Sequence, residues 1–139
     1  MKKALIISIF ALTLSAAFIA CTTIRPIPED LTAPQLLQEG QACLDNSDYK
    51  NAEAIFLATI DRYGDNTETY IEAKYELAHL YIKTRDYYKA YIALDEILEI
   101  YSYAMVGDLP ASYKKLAQIE MDKIPPAKLE EYQKKKIIN

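Results

Sequence analysis

Three side chains have the types that carry out nucleophilic or metal chemistry: Cys21, Cys43 and His79. Two cysteines of an exported protein could form one disulfide, whereas a zinc site needs three or four ligands at characteristic spacings. These three residues are far apart in the sequence, and no nucleophile, histidine and acid set accompanies them. We therefore expect no metal site and no catalytic centre, and we expect the two cysteines to have separate roles.

Carboxylates are the other abundant reactive groups, because the chain holds 20 Asp and Glu residues. A glycosidase-like hydrolase would hold two of them as a catalytic pair. Residues such as Glu72, Glu76 and Glu99 are instead scattered as on the solvated faces of helices, and the sequence has no Gly-rich phosphate loop. The sequence predicts a protein that is not an enzyme, uses no cofactor and has no small-molecule substrate.

The charge balance narrows the classes of partner. The formal net charge is −4, and Lys2 and Lys3 lie at the very start of the chain. Nucleic-acid-binding proteins need a basic surface, and so does electrostatic adhesion to anionic lipid. We expect no nucleic acid among the partners, and any membrane attachment must have another origin.

Residues 1–20 have the three-part plan of a secretory signal peptide. Lys2 and Lys3 supply the charged start, an apolar run follows over residues 4–14, and small residues gather at 15–17. An uncleaved anchor is the alternative, because the apolar stretch reaches about 17 residues, the lower limit for a bilayer span. We predict that residues 1–20 are a removable leader.

The leader ends in Phe18-Ile19-Ala20-Cys21, which resembles the lipobox of bacterial lipoproteins. Relaxed forms of this motif are familiar in spirochaetes. The resemblance implies that the Cys21 sulfur carries a diacylglycerol and that cleavage occurs before it; two or three acyl chains anchor a protein stably. Thr22, where an Asp would retain the protein at the inner membrane, favours an outer-membrane lipoprotein that faces the periplasm. Residues 21–32, with two prolines, are predicted to be an extended tether.

Apolar residues recur every three or four positions from Ala33 onward, which predicts an all-α domain over residues 33–139. Interruptions at residues 46–48, 64–66 and 85–86 divide the first part into four helices. The third of these is predicted over residues 67–84.

The last part of the chain, residues 108–136, has a weaker helical pattern. Its first helix is predicted to have Pro110 in its first turn, and a charged helix over residues 128–136 follows a Pro-Pro break. Stacked repeats need terminal caps with a polar outer face. We interpret this segment as a degenerate third unit or a cap, with inner positions Tyr113, Leu116, Ile119 and Ile124.

Two predicted hairpins repeat each other at an offset of 38 residues. Residues 47–52 and 85–90 share the pattern x-Asp-Tyr-x-x-Ala, and Gly40 and Ala78 precede them by equal distances. Self-similarity of this kind is typical of stacked helical hairpins. The sequence predicts repeats over about residues 33–66 and 67–104.

The repeat resembles the tetratricopeptide repeat. In that family a small residue in helix A lets helix B approach, a second small residue in helix B packs against it, and a large apolar residue follows one turn later. The resemblance implies antiparallel helix hairpins stacked as a short solenoid with a C-terminal capping helix, and we expect Gly40 to contact Ala52. The implied packing residues of the two repeats are Gly40, Ala52, Phe56, Ala78, Ala90 and Leu94.

The aromatic composition, with 12 Tyr and no Trp, agrees with this packing. We expect most tyrosines to pack between helices while their hydroxyls reach the surface. Cys43 is expected to act as a small buried apolar residue.

Tetratricopeptide domains bind peptides and protein surfaces along the concave face of their A helices. The family's groove positions imply a partner-binding set of Leu37, Gln41, Leu44, Asp45, Glu72, Tyr75, His79, Ile82 and Lys83. Such a mixture of aromatic, amide and charged groups is typical of recognition surfaces. The alternative is that these are ordinary surface or inter-repeat residues.

A lipidated cysteine, a short tether, Asp61-Arg62-Tyr63 and the spacing of Ala73, Leu77, Ala78 and Tyr81 resemble the BamD family of outer-membrane β-barrel assembly lipoproteins. The resemblance implies an interaction scaffold that is accessory to barrel assembly and binds other envelope proteins, including the barrel-forming subunit. The chain has two clear repeats where that family has five. A Tol–Pal-like envelope adaptor and a surface-exposed lipoprotein that contacts host molecules are the alternatives.

Overall fold

The computed structural model describes residues 23–138, with side chains as far as Lys136. This part of the chain folds into six helices and contains no β-strand. The helices are α1 Ala33–Asp45, α2 Tyr49–Tyr63, α3 Thr67–Thr84, α4 Tyr87–Tyr103, α5 Ala111–Met121 and α6 Pro126–Ile138. The all-α class predicted from the periodicity is confirmed.

The predicted leader and the predicted lipidation site, Cys21, lie outside the described residues. Among the helices that are described, none combines the length and the apolar character needed to cross a bilayer. Both membrane predictions therefore stay predictions.

Adjacent helices pack as a stack of hairpins: α1 on α2, α2 on α3 and α3 on α4. The first helices of the two hairpins, α1 and α3, also lie side by side, and α5 packs on α3 and α4. Within the described residues α6 packs on α4 and not on α5. The last two helices therefore do not form a third hairpin with each other, and the cap over residues 108–136 stays a prediction.

The turns of the two hairpins have the same backbone geometry at the offset found in the sequence. Ser47 and Arg85 adopt left-handed conformations with φ of 60° and 62°, a common way to end a helix. The backbone N–H groups of Asp48 and Asp86 each donate to the carbonyl five residues earlier, both at 2.9 Å. The sequence repeat is thus also a repeat of the backbone.

The core lies between the helices of each hairpin. An added Cβ on Gly40 would lie 2.8 Å and 2.9 Å from Cδ1 and Cζ of Phe56 and closer still to Cε1. The atoms nearest to that Cβ therefore all belong to the Phe56 ring, which fills the space beside the glycine; the predicted contact of Gly40 with Ala52 stays a prediction. All six predicted packing residues are buried: Gly40, Ala52, Phe56, Ala78, Ala90 and Leu94.

Residues 23–31, which we call the N-terminal strap, are non-helical, turn at residues 29–30 and lie against the first hairpin. Ile27 and Leu31 pack on the core. The Arg62 guanidinium donates to the Ile27 carbonyl at 3.3 Å, and the Tyr63 hydroxyl donates to the Leu31 carbonyl at 2.7 Å. This corrects the predicted tether over residues 21–32: its described part, from Thr23 onward, packs on the helical domain instead of extending away from it.

The beginning of the strap is fixed near the α1–α2 turn. The backbone N–H of Arg25 donates to Asn51 Oδ1 at 2.8 Å, and Asn51 Nδ2 donates to Asp48 Oδ2 at 2.8 Å. The Arg25 guanidinium also donates to Cys43 Sγ at 3.3 Å. Burial raises the pKa of the Cys43 thiol, which suits its predicted role as a packing residue.

Helix α5 presents a different face from the one predicted. Ala117 and Ile124 are buried and Tyr113 is half-buried, whereas Leu116 and Ile119 are exposed. The helix begins at Ala111, so Pro110 lies at its N-cap position and not within its first turn as predicted. Because α5 packs on both α3 and α4, the face that carries the small Ala117 is the one that becomes buried.

Tyrosine side chains join neighbouring elements. The Tyr101 hydroxyl donates to the Pro110 carbonyl at 2.6 Å, and the Tyr81 hydroxyl donates to Glu53 Oε1 at 2.7 Å. The Tyr132 ring of α6 meets the Tyr88 ring edge-on at 5.2 Å between centroids. Several hydroxyls that we expected at the surface therefore end on hydrogen-bond acceptors.

Candidate interaction groove

Two clefts follow the seam between α1 and α3. The first encloses about 270 Å³ and is lined by Gln41, Leu44, Asp45, Tyr75, Glu76 and His79. The second encloses about 190 Å³ nearer the start of both helices, and its lining includes Leu37, Gln41 and Glu72. Because the clefts share Gln41, we treat them together as the α1–α3 groove.

Helical spacing brings these side chains to one side of the stack. Glu72 lies three and four residues before Tyr75 and Glu76, and His79 lies four and three residues after them, all along α3, so these side chains share a face. The amide of Gln41, across the seam on α1, donates to Glu76 Oε1 at 3.0 Å. This hydrogen bond joins the two walls of the groove.

Aromatic rings form one wall of the first cleft. Tyr75 stacks on His79 with an angle of 19° between the rings and 6.4 Å between centroids. Tyr113 of α5 meets Tyr75 edge-on, with 5.7 Å between centroids. These contacts hold the half-buried Tyr75 ring from two sides, so the groove contains an ordered aromatic surface.

A buried carboxylate lies behind His79. Glu120 of α5 is only 3% exposed. Its Oε1 lies 3.0 Å from His79 Nδ1 and 2.7 Å from Lys123 Nζ, whereas its Oε2 has no hydrogen-bond partner. Buried polar atoms are nearly always paired in proteins, so this oxygen is an unusual feature of the wall.

The groove has a negative electrostatic character. Burial raises the pKa of Glu76 above its ordinary value, and the carboxylates of Glu72 and Asp45 act in the same direction, against the hydrogen bond from Gln41 and the nearby His79 ring. Burial and the Glu72 carboxylate together raise the pKa of Tyr113. Both pKa values are raised because ionisation adds a negative charge to a partly desolvated surface that already holds several acids.

Several acids elsewhere in the domain are paired with lysines. Lys89 lies 3.0 Å from Glu53, and Lys74 lies 2.6 Å from Glu96. Burial opposes the shift, but hydrogen bonds from Tyr81 and Lys89 to Glu53, and from Lys74 and Tyr70 to Glu96, hold the pKa of both carboxyls below their ordinary value. Lys136 lies 2.6 Å from Asp95. Among the described residues, the three groove acids have no Lys or Arg within ion-pair distance: Asp45, Glu72 and Glu76.

The structure divides the predicted partner-binding set into three groups. Leu37 and Leu44 are 6% and 4% exposed and belong mainly to the core, although their edges line the clefts. Ile82 packs on the core and Lys83 is exposed, and neither lines the groove. The remaining five predicted residues come together along the seam: Gln41, Asp45, Glu72, Tyr75 and His79.

Three residues of this region were not predicted: Glu76, Tyr113 and Glu120. Glu76 lies one turn after Glu72 and three residues before His79, so the spacing that selected its neighbours could have found it. Glu120 occupies an inner position of α5, and an acid in an otherwise apolar stripe was the available signal. Tyr113 reaches the groove only because α5 packs on α3, which no local pattern shows.

A larger and more apolar cleft of about 320 Å³ lies among α2, α3 and α4. Its exposed apolar side chains are Leu57, Tyr88 and Ile92. The lysines on its lining, Lys74 and Lys89, are already paired with acids. This cleft could bury apolar area, but its charges do not favour a particular class of partner.

The groups in the α1–α3 groove are suited to binding. Among residues 23–138, no three His, Cys, Asp or Glu side chains are arranged to hold a metal ion. The Nδ1 of His79 is engaged by a buried carboxylate rather than by a nucleophile. Carboxylates, an amide and aromatic rings remain, which are the groups that recognise polypeptide segments.

Comparison with known proteins leaves the family open. No protein-family model matches the chain, and no solved structure matches it. A Treponema pallidum (strain Nichols) protein described as uncharacterized is 31% identical over 116 residues, which cover 78% of this chain and 46% of that protein. The chain thus spans slightly less than half the length of the curated relative it matches.

Proposed function

We propose that the protein is a lipid-anchored interaction scaffold of the bacterial cell envelope that binds a segment of a partner polypeptide in the α1–α3 groove. The observation that carries this proposal is the groove itself. Its half-buried Tyr75, its acids and the Gln41 amide are held by a stack of helices and face a cleft of about 270 Å³. Anchors of this kind, surrounded by polar groups, are characteristic of sites that bind other proteins.

The envelope part of the proposal is supported by the sequence. Residues 1–20 have the plan of a signal peptide and Cys21 ends a lipobox-like motif. Thr23, two residues after Cys21, begins a strap fixed to the first hairpin, which would hold the domain close to a lipid anchor.

The resemblance to the BamD family supports a more specific role as an accessory component of the outer-membrane β-barrel assembly machinery. The partner would then be the barrel-forming subunit or another component of that machinery. A Tol–Pal-like adaptor and a surface-exposed lipoprotein remain the alternatives, and the identity of the partner separates the three.

The proposal can be tested by site-specific photocrosslinking of the full chain in the cells that produce it. A photoreactive amino acid at Gln41 should give a discrete crosslinked partner, identified by mass spectrometry, because this side chain lies in the groove. The same photoreactive amino acid in place of Glu130, an exposed residue of α6, is the matched control and should give no crosslinked partner. The photoreactive amino acid in place of Ile92 tests whether a partner binds in the apolar cleft among α2, α3 and α4.

The crosslink at Gln41 should disappear in Tyr75→Ala while far-ultraviolet circular dichroism stays unchanged. Loss of helicity would instead identify Tyr75 as a core residue. A crosslink at Ile92 without one at Gln41 would contradict the proposed site. Recovery of the barrel-forming subunit would support the barrel-assembly role, and recovery of Tol or peptidoglycan-associated proteins would contradict it.

A further inference from the structure

We infer that the segment bound in the α1–α3 groove is basic and that it places a Lys or Arg side chain in the cleft between Glu76 and Tyr75. This inference rests on the proposed function and adds the chemistry of the partner. It concerns a separate polypeptide in an extended conformation.

The first argument is charge complementarity. The groove acids Asp45, Glu72 and Glu76 have no Lys or Arg partner among the described residues, whereas some acids on other faces are paired, as Glu96 is with Lys74 at 2.6 Å. Carboxylates in a partly desolvated cleft are unfavourable until a cation reaches them. A basic side chain of a partner would supply the missing charge.

The second argument is the buried carboxylate behind the cleft. Glu120 is 3% exposed and its Oε2 lacks a hydrogen-bond donor. Its Oε1 contacts His79, which lines the cleft. The same oxygen lies 2.7 Å from Nζ of Lys123, just beyond the end of α5, so the charge of Glu120 is already paired and the unpaired Oε2 is what a further donor would satisfy. The Lys123 side chain is 46% exposed and does not line the cleft.

The third argument is the aromatic wall. The Tyr75 ring is held by stacking on His79 and by the edge contact with Tyr113. The face of an aromatic ring attracts Lys and Arg cations, and the neighbouring carboxylate of Glu76 strengthens the same preference. Ligand pockets for whole small molecules enclose roughly 300–1,000 Å³, so a cleft of about 270 Å³ is of a size for one side chain.

The spacing of the acids predicts the pattern of the segment. Glu72 and Glu76 are four residues apart on α3, and a helix rises 1.5 Å per residue, so they are about 6 Å apart along the helix. Two residues of extended chain span about 6.6 Å. The favoured segment therefore has basic residues at alternate positions, one near Glu76 and the next near Glu72.

The test uses the purified full chain in detergent micelles and fluorescein-labelled peptides. The probe is Ser-Arg-Ser-Arg-Ser-Gly, and its charge-reversed control has Glu in place of Arg. Fluorescence anisotropy should show at least tenfold tighter binding of the Arg peptide, with an affinity that falls as salt screens the charges. Equal binding of the two peptides would overturn the inference.

Matched variants locate the binding in the groove. Glu76→Gln keeps a side-chain oxygen for Gln41 and should weaken the Arg peptide roughly fivefold to tenfold. Glu130→Gln makes the same change of charge at an exposed site of α6 and should leave the affinity unchanged. Equal losses in both variants would mean non-specific attraction to an acidic protein and would overturn the inference.

Two further outcomes separate this inference from the proposed function. A partner segment crosslinked at Gln41 that lacks Lys and Arg would overturn the basic chemistry and leave the interaction scaffold intact. Absence of any crosslink at Gln41 would overturn the scaffold itself. Dimers in sedimentation that Glu76→Gln dissociates would show that another copy of this chain occupies the groove, which contradicts a separate partner.

Discussion

Gly40 allows the packing register of the first hairpin to be tested with one methyl group. A Cβ at this position would lie 2.8–2.9 Å from two carbons of the Phe56 ring and nearer to a third, whereas non-bonded carbons prefer about 3.5–4.0 Å. Phe56 is 0% exposed, so its ring has no solvent into which it can move. Gly40→Ala must therefore displace the ring or separate α1 from α2.

The expected change in the free energy of unfolding combines two opposing terms. Overpacking of a tight core costs about 1–3 kcal/mol, and a contact this short belongs in the upper half of that range. Ala is favoured over Gly in a helix by about 0.8–1.0 kcal/mol. We expect Gly40→Ala to destabilise the domain by about 1–2 kcal/mol, and Gly40→Leu to destabilise it further.

The assay is urea denaturation, followed by circular dichroism, of the chain without residues 1–20 and with Cys21→Ser. Ala42→Gly, at an exposed position of α1, measures the helix-propensity term in the same helix and should cost about 1 kcal/mol. Adding Phe56→Leu to Gly40→Ala should recover part of the loss, as expected for residues in contact. A neutral or stabilising Gly40→Ala would refute the contact and with it the packing register.

Four other changes test separate parts of the structure. Cys21→Ala should move the protein from the membrane fraction to the soluble fraction, and continued dependence on detergent for extraction would contradict lipidation. Arg85→Gly should raise the free energy of unfolding by about 0.5–1 kcal/mol, because the left-handed φ of 62° is strained for a side chain; Arg85→Ala should bring no such gain. The pKa of Glu53 is lowered from 4.5, so the unfolded chain binds the proton more readily; the stability that Glu53→Gln removes at neutral pH should vanish as the pH falls through the folded pKa. The pKa of Glu76 is raised from 4.5, so its ionised form destabilises the folded domain. Glu76→Gln should therefore stabilise the domain at neutral pH, and this gain should disappear once the pH falls below the ordinary pKa of a Glu side chain.

Local patterns were enough to predict the helical body. The third helix was predicted over residues 67–84 and spans Thr67–Thr84, because apolar spacing and the flanking turn residues act within a few positions of the chain. The left-handed Ser47 and Arg85 lie in the interruptions that the sequence marked. Because the two hairpins repeat at a constant offset, the position of one turn also predicted the position of the other.

The strap was not predictable in the same way. Its attachment depends on carbonyl groups of residues 27, 28 and 31 that accept hydrogen bonds from Arg62 and Tyr63. Every residue offers a carbonyl, so no side-chain pattern distinguishes a docked extended segment from a free one. The two prolines favour extension and do not determine what the segment touches.

The groove was predicted in part, for a related reason. Gln41, Tyr75 and His79 were implied by the groove positions of the tetratricopeptide family, whereas Glu120 comes from α5, whose orientation is set by tertiary packing. Leu116 and Ile119 fit the helical periodicity of α5 as well as its buried positions do, but they are exposed. The sequence therefore did not show which face of α5 places Glu120 beside His79.

Stability alone does not account for the placement of charge in this domain. Lysines of α3, α4 and α6 neutralise acids outside the groove, yet Lys83, one turn beyond His79 on α3, forms no ion pair among the described residues while Glu76 stays without a cation. Because burial raises the pKa of Glu76, the ionised groove destabilises the free fold at neutral pH. Sites that bind ligands commonly retain such unfavourable groups. If Glu76→Gln both stabilises the domain and weakens the Arg peptide, the same charge limits stability and enables binding; if it stabilises the domain and leaves binding intact, the carboxylate does not serve recognition.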